Sequence, residues 1–127
     1  PVAMPAPLCL APRETQPGET RCALTPETAA ALIKLGWQVA FEPGLGRGAG
    51  HADADYLAAG ARAAGPDELA AADLVLRVRK PPAETIPRMK AGAAHLSLLD
   101  PFREPGLIEV FASAGVAAVS LELVPRT

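Results

Sequence analysis

The 127-residue sequence has few of the residues that usually carry bond-making chemistry, with two cysteines and two histidines in the whole chain. Cys9 lies in an apolar run and Cys22 in the charged segment after it. Two thiols so placed form neither a disulfide framework nor a metal-binding spacing. His51 and His95 have no second ligand in step with them, because Asp53 and Asp55 beside His51 suit a helix start better. No metal centre is expected. No serine, histidine and carboxylate pattern suggests a nucleophilic triad either.

Long apolar runs are also scarce. The opening Pro1–Pro12 lacks a basic flank and is broken by prolines, so it makes a poor signal peptide. Val110–Leu121 carries no charge but contains Gly115 and falls short of the ~20 residues needed to span a bilayer. The reading is of a chain with no membrane span. With 12 basic and 14 acidic residues and a net charge of −2, there is no cationic stripe for nucleic acid.

Half the residues are hydrophobic, enough for one substantial core. Their grouping predicts strands at Leu8–Ala11, Trp37–Phe41, Leu74–Val78, His95–Leu99 and Val116–Val124, with a short edge strand at Ala61–Ala64. Leu74–Val78 reads as buried on both faces. Helices are predicted at Glu27–Leu35, Asp53–Ala59, Asp67–Ala72, Ala83–Lys90 and Pro105–Ala114, several closing on glycine. This alternation implies a single α/β domain over residues 1–127, a doubly wound, mostly parallel sheet of flavodoxin-like or Rossmann-like type with helices on both faces. In such sheets ligands sit outside the carboxyl ends of the strands, which is where the charged residues collect.

The most polar of these strand ends is Arg13–Pro26. Pro17-Gly18 predicts a tight turn, and Thr25-Pro26 a helix N-cap followed by proline. Arg21 is a candidate ligand contact because a guanidinium holds a carboxylate through two parallel bonds, and the alternative is a surface ion pair with Glu14 or Glu19. In the strand end Arg77–Lys80, alternation puts Arg77 and Arg79 on one face and Lys80 opposite. The loop with glycines at 44, 46, 48 and 50 does not have the G-x-G-x-x-G spacing of a dinucleotide fingerprint and reads as a structural turn. His95 reads as a satisfied core or rim histidine.

Arg13-Glu14, Glu19-Thr20-Arg21-Cys22-Ala23 and Thr25-Pro26 together resemble the amino-terminal segment of the family that joins alanine dehydrogenases to the alpha subunits of proton-translocating NAD(P) transhydrogenases. The resemblance runs to Thr127 and implies that Arg21 matches the arginine with which alanine dehydrogenases hold the substrate carboxylate. Where those enzymes place a lysine and a histidine, this chain has Arg79 and Asp100. Neither suits proton transfer at neutral pH. Transhydrogenation moves a hydride between two nicotinamides and needs no local acid or base. Leu121–Thr127 resembles the transhydrogenase strand that runs into Pro-Arg beside the nicotinamide, so Arg126 is the implied cofactor-side arginine.

The resemblance therefore implies the N-terminal domain of a transhydrogenase alpha subunit, with no catalytic residue of its own and inactive by itself. NAD(H) would be bound together with a Rossmann domain that follows Thr127 in the family. NADP(H) would come on a beta subunit, and the alpha subunits would pair as homodimers. The complex would be peripheral to the inner membrane on its cytoplasmic side. The alternatives are an alanine-dehydrogenase-like fragment and a stand-alone, non-catalytic binding or assembly module.

Overall fold

The structure is a computed structural model and describes residues 5–99 and 105–121. Six strands form one sheet: β1 (Leu8–Ala11), β2 (Gln38–Phe41), β3 (Arg62–Ala63), β4 (Leu74–Arg79), β5 (Ala94–Leu98) and β6 (Ala117–Ser120). Every pairing is parallel and the order is β3-β2-β1-β4-β5-β6. Of the two doubly wound types the sequence allowed, this is the Rossmann order, with the reversal between β1 and β4. The predicted strands are all present as far as the described residues extend.

Helices α1 (Pro26–Lys34), α2 (Asp53–Ala58), α3 (Glu68–Ala71) and α4 (Pro105–Ala114) fill the crossovers. Local chemistry sets their ends. Thr25 caps α1 by accepting from the Thr28 N–H at 3.1 Å, Pro26 fills the first position, and Gly36 leaves the helix at φ +102°. The helix predicted at 83–90 is instead a 3-10 segment, Ala83–Arg88, with Pro87 inside it. A proline has no N–H to continue an α-helical ladder, which favours the tighter turn here.

Alternation along β1 and β2 divides the core in two. Leu8, Leu10, Ala40 and Val75 face Ile86, Met89, Leu107 and Phe111, whereas Ala11, Val39 and Phe41 face Leu24, Ala29 and Tyr56. On this second side, the stretch carrying Leu76, Val78, Leu96, Leu98, Val119 and Leu121 has no described element over it, and Val119 and Leu121 remain 42% and 40% exposed. β4 is thus buried on one face and only half-buried on the other, unlike the two-sided burial expected from its composition.

Asp73 secures the opposite, amino-terminal edge of the sheet. Its carboxylate accepts from the Leu8 N–H at 2.7 Å and pairs with Lys90, which together hold it below the usual carboxylate range. No helix among the described residues is long and apolar enough to cross a membrane.

Candidate functional site at the strand reversal

Where the strand order reverses, the carboxyl ends of β1 and β4 lie side by side, and a carboxylate joins them. Glu14 accepts from two successive backbone amides, Val78 at 2.9 Å and Arg79 at 3.0 Å. In return the Arg77 guanidinium reaches the Arg13 carbonyl at 3.5 Å. These contacts cross 64 or 65 residues of sequence, so they fix the two strand ends relative to each other. No sequence pattern pointed to Glu14 in this role, since its partners are backbone groups of a distant strand.

A reverse turn carries the next carboxylate. The Glu19 N–H donates to the Gln16 carbonyl at 3.1 Å, with Gly18 at φ +81° as the turn requires. Glu19 then receives three bonds from Arg21, from its backbone N–H at 2.9 Å, Nε at 2.9 Å and Nη2 at 2.8 Å. Arg79 Nε approaches the same carboxylate at 4.0 Å. The hydrogen bonds from Arg21 hold Glu19 down to about 2, and the nearby Arg79 charge works in the same direction. Of the two partners the sequence offered Arg21, the structure selects Glu19.

Arg77 and Arg79 do not share an environment as strict alternation predicts. Arg77 is 9% exposed, and burial pulls its pKa down, whereas Arg79 is exposed. The pairing register of β4 with β5 shifts between Leu76 and Arg79, which breaks the two-residue period there. Arg21 and Arg79 are brought together through Glu19. Asp100 and Arg126 lie outside the described residues.

Behind these charges a cleft of ≈ 440 Å³ is lined by Arg21, Cys22, Ala23, Arg77 and the open sheet face of Leu76, Val78, Leu96, Leu98 and Leu121. It thus has a cationic rim and an apolar wall. Tyr56 supports the loop from below, donating to the Leu24 carbonyl at 2.6 Å and reaching Cys22 Sγ at 3.7 Å. Both cysteines are free thiols, and burial pushes Cys9 up to about 11. Among the described residues no group of three or more His, Cys, Asp or Glu side chains could hold a metal.

Two glycines of the loop, Gly46 and Gly48, are accounted for by packing within the chain. A Cβ on Gly46 would lie 2.6 Å from both His51 Cβ and Tyr56 Oη, and one on Gly48 would lie 3.1 Å from the Thr20 backbone. These glycines admit neighbouring parts of the chain, not a phosphate. Gly46 has an ordinary φ of −94°, so Gly46→Ala should cost only overpacking against the buried Tyr56, about 1–3 kcal/mol, read from urea or thermal unfolding. Unchanged stability would mean that the loop has room to accommodate the methyl group.

Residues 10–127 match the family model described as alanine dehydrogenase/PNT, N-terminal domain. The chain belongs to this family. It is 38% identical over 119 residues to the NAD(P) transhydrogenase subunit alpha of Cereibacter sphaeroides, a match covering 91% of this chain and 23% of that protein. It is 34% identical over 118 residues to the alanine dehydrogenase of Halomonas elongata, covering 89% of this chain and 31% of that protein. The solved transhydrogenase of Sinorhizobium meliloti superposes with a TM-score of 0.89 at 33% identity, covering 94% of this chain and 35% of that one. The chain thus spans between 23% and 35% of the length of these three proteins. Both branches of the family that the sequence resembled are represented, and the relatives on both are oxidoreductases by name.

Proposed function

We propose that this chain is the N-terminal domain, residues 1–127, of the NAD(H)-binding alpha subunit of a proton-translocating NAD(P) transhydrogenase, where it forms one wall of the hydride-transfer cleft. The observation that carries this reading is the chemistry at the strand reversal. Arg21, Arg79 and Glu19 are fixed charges. The Glu19 carboxylate, hydrogen-bonded by Arg21, is held at about 2, and the same bonds push Arg21 further up, so neither partner of the pair is poised to exchange a proton near neutral pH. A site of this kind can orient a ligand but is poorly equipped to reduce an imino acid, which needs a proton donor.

Nicotinamide chemistry fits such a wall in part. Gly46 and Gly48 are taken up by the chain's own packing, and on this reading the pyrophosphate of a dinucleotide would be held by a Rossmann domain elsewhere in the subunit. The charged rim and apolar wall of the cleft suit the other end of the cofactor, its ribose and planar ring, with Arg126 as the arginine beside the nicotinamide. A nicotinamide bound there would supply the hydride, and this chain's residues would position it. NADP(H) would be presented by a beta subunit, and the alpha subunits would pair as homodimers at the cytoplasmic surface of the inner membrane.

The test is a pair of turnover assays on the subunit containing this chain. With its beta subunit it should transfer hydride from NADH to NADP+, and with pyruvate, ammonia and NADH it should form no alanine above background. Alanine formation that depends on Arg79 and Asp100 would overturn the reading in favour of the dehydrogenase branch. Hydride transfer in neither assay would leave the non-catalytic module.

A further inference from the structure

The two guanidiniums at the crevice already share an anion, and that anion belongs to the chain. Glu19 has a side chain only 7% exposed, although it sits on a turn, whereas its partners Arg21 and Arg79 remain 59% and 50% exposed. An exposed pair of equals would leave both partners open to water. Here the carboxylate is enclosed between cations, as a bound oxyanion would be, and the Arg21 fork meets both its oxygens.

The cations and the anion are also anchored differently. The backbone at Arg79 is held by Glu14, and the segment Thr20–Leu24 is held by the close approach of Gly48 and by the fully buried Leu24. Glu19 is carried at the end of the Gln16–Glu19 turn, with Pro17 and Gly18 both exposed.

We propose that Glu19 is a built-in competitor that determines whether the Arg21 and Arg79 pair accepts an outside oxyanion: a carboxylate or phosphate group enters by displacing it. The inference rests on the crevice being the ligand-facing wall described above. It accounts for two accessible guanidiniums that already share one carboxylate, and it makes Glu19 a specificity-determining residue. With the carboxylate seated, the crevice favours neutral or planar groups. With it withdrawn, the crevice favours anions.

The experiment titrates oxalate and, separately, inorganic phosphate into the full natural polypeptide at low ionic strength, following the arginine side-chain Nε–H resonances or heat. Glu19→Gln keeps size and hydrogen-bonding capacity but removes the charge, and it should tighten binding by about tenfold, the scale of one charge-assisted hydrogen bond. Glu19→Ala should do the same, and adding Arg21→Ala to either should abolish the gain. A response to oxalate alone, or to phosphate alone, supports the proposal and identifies the oxyanion. Equal affinity in wild type and both Glu19 variants, or binding in none of them, would overturn it. The cleft reading fails separately, if the wild-type subunit shows no NADH to NADP+ hydride transfer whatever the Glu19 variants do.

Discussion

Lowering the pH from about 7 to about 4 should cost this protein roughly 3 kcal/mol of folding stability through His95 alone, beyond what its carboxylates contribute. His95 is fully buried on β5, with its ring centroid 5.1 Å from that of Phe111 on α4. Its Nδ1 lies 3.4 Å from Ser97 Oγ, and its Nε2 has no partner among the described residues. Burial, and then the neighbouring Arg77 charge, push the imidazole from an ordinary 6.5 down to about 3. The folded state therefore refuses a proton that the unfolded chain accepts anywhere between those two values. The penalty is absent above the unfolded pKa, grows as the pH falls below 6.5, and levels off near 3, where the folded state also titrates.

His95→Leu separates this term from the rest. The substitution removes the titrating group and the orphaned Nε2 together and keeps an apolar side chain against Phe111. Glu19 and Asp73, also held below the usual carboxylate range, titrate in both proteins and cancel in the comparison. Urea unfolding at a series of pH values should give curves that run together above about pH 7 apart from a constant offset and diverge by roughly 3 kcal/mol at about pH 4. Parallel curves would show that the folded protein protonates His95 without difficulty and that the imidazole is less enclosed than the structure has it.

His95 also marks a limit of reading structure from sequence. Its place in a strand was plain from the apolar run around it, but the same run reads equally well with a satisfied imidazole. The ring meets Phe111 from α4, a neighbour with no hydrogen-bonding group, and Nε2 finds no partner among the described residues. The strands and most helices were legible because each bears on local pattern: buried four- to six-residue runs, the Thr25-Pro26 start, and glycines at the helix ends. The order of strands was not, since flavodoxin-like and Rossmann-like sheets share that alternation and differ only in which neighbours pair.

The site was legible at the level of segments and not of contacts. Arg13–Arg21 and Arg77–Lys80 stood out because charge collects at the ends of uncharged strands, and the sheet brings them together at its reversal. Which carboxylate Arg21 would hold depends on the shape of the Gln16–Glu19 turn, a conformational matter that side-chain type does not decide. Glu14 was seen as a motif residue, but its bonds to the Val78 and Arg79 amides depend on the register of β1 against β4. The 3-10 segment at Ala83–Arg88 could have been read from Pro87, whose missing N–H argues against a long α-helix.

On the proposed function, this domain is one wall of a nicotinamide cleft and does not hold the dinucleotide by itself. A calorimetric titration of NADH tests it most directly, performed on the chain alone and again with the Rossmann domain of the same subunit. Binding should appear only with the second domain present and weaken about tenfold with Arg126→Ala, the loss of one charge-assisted contact. Tight NADH binding by the 127-residue chain alone would contradict this role, because it would require phosphate to be held by a loop in which Gly46 and Gly48 are already packed against Tyr56 and Thr20.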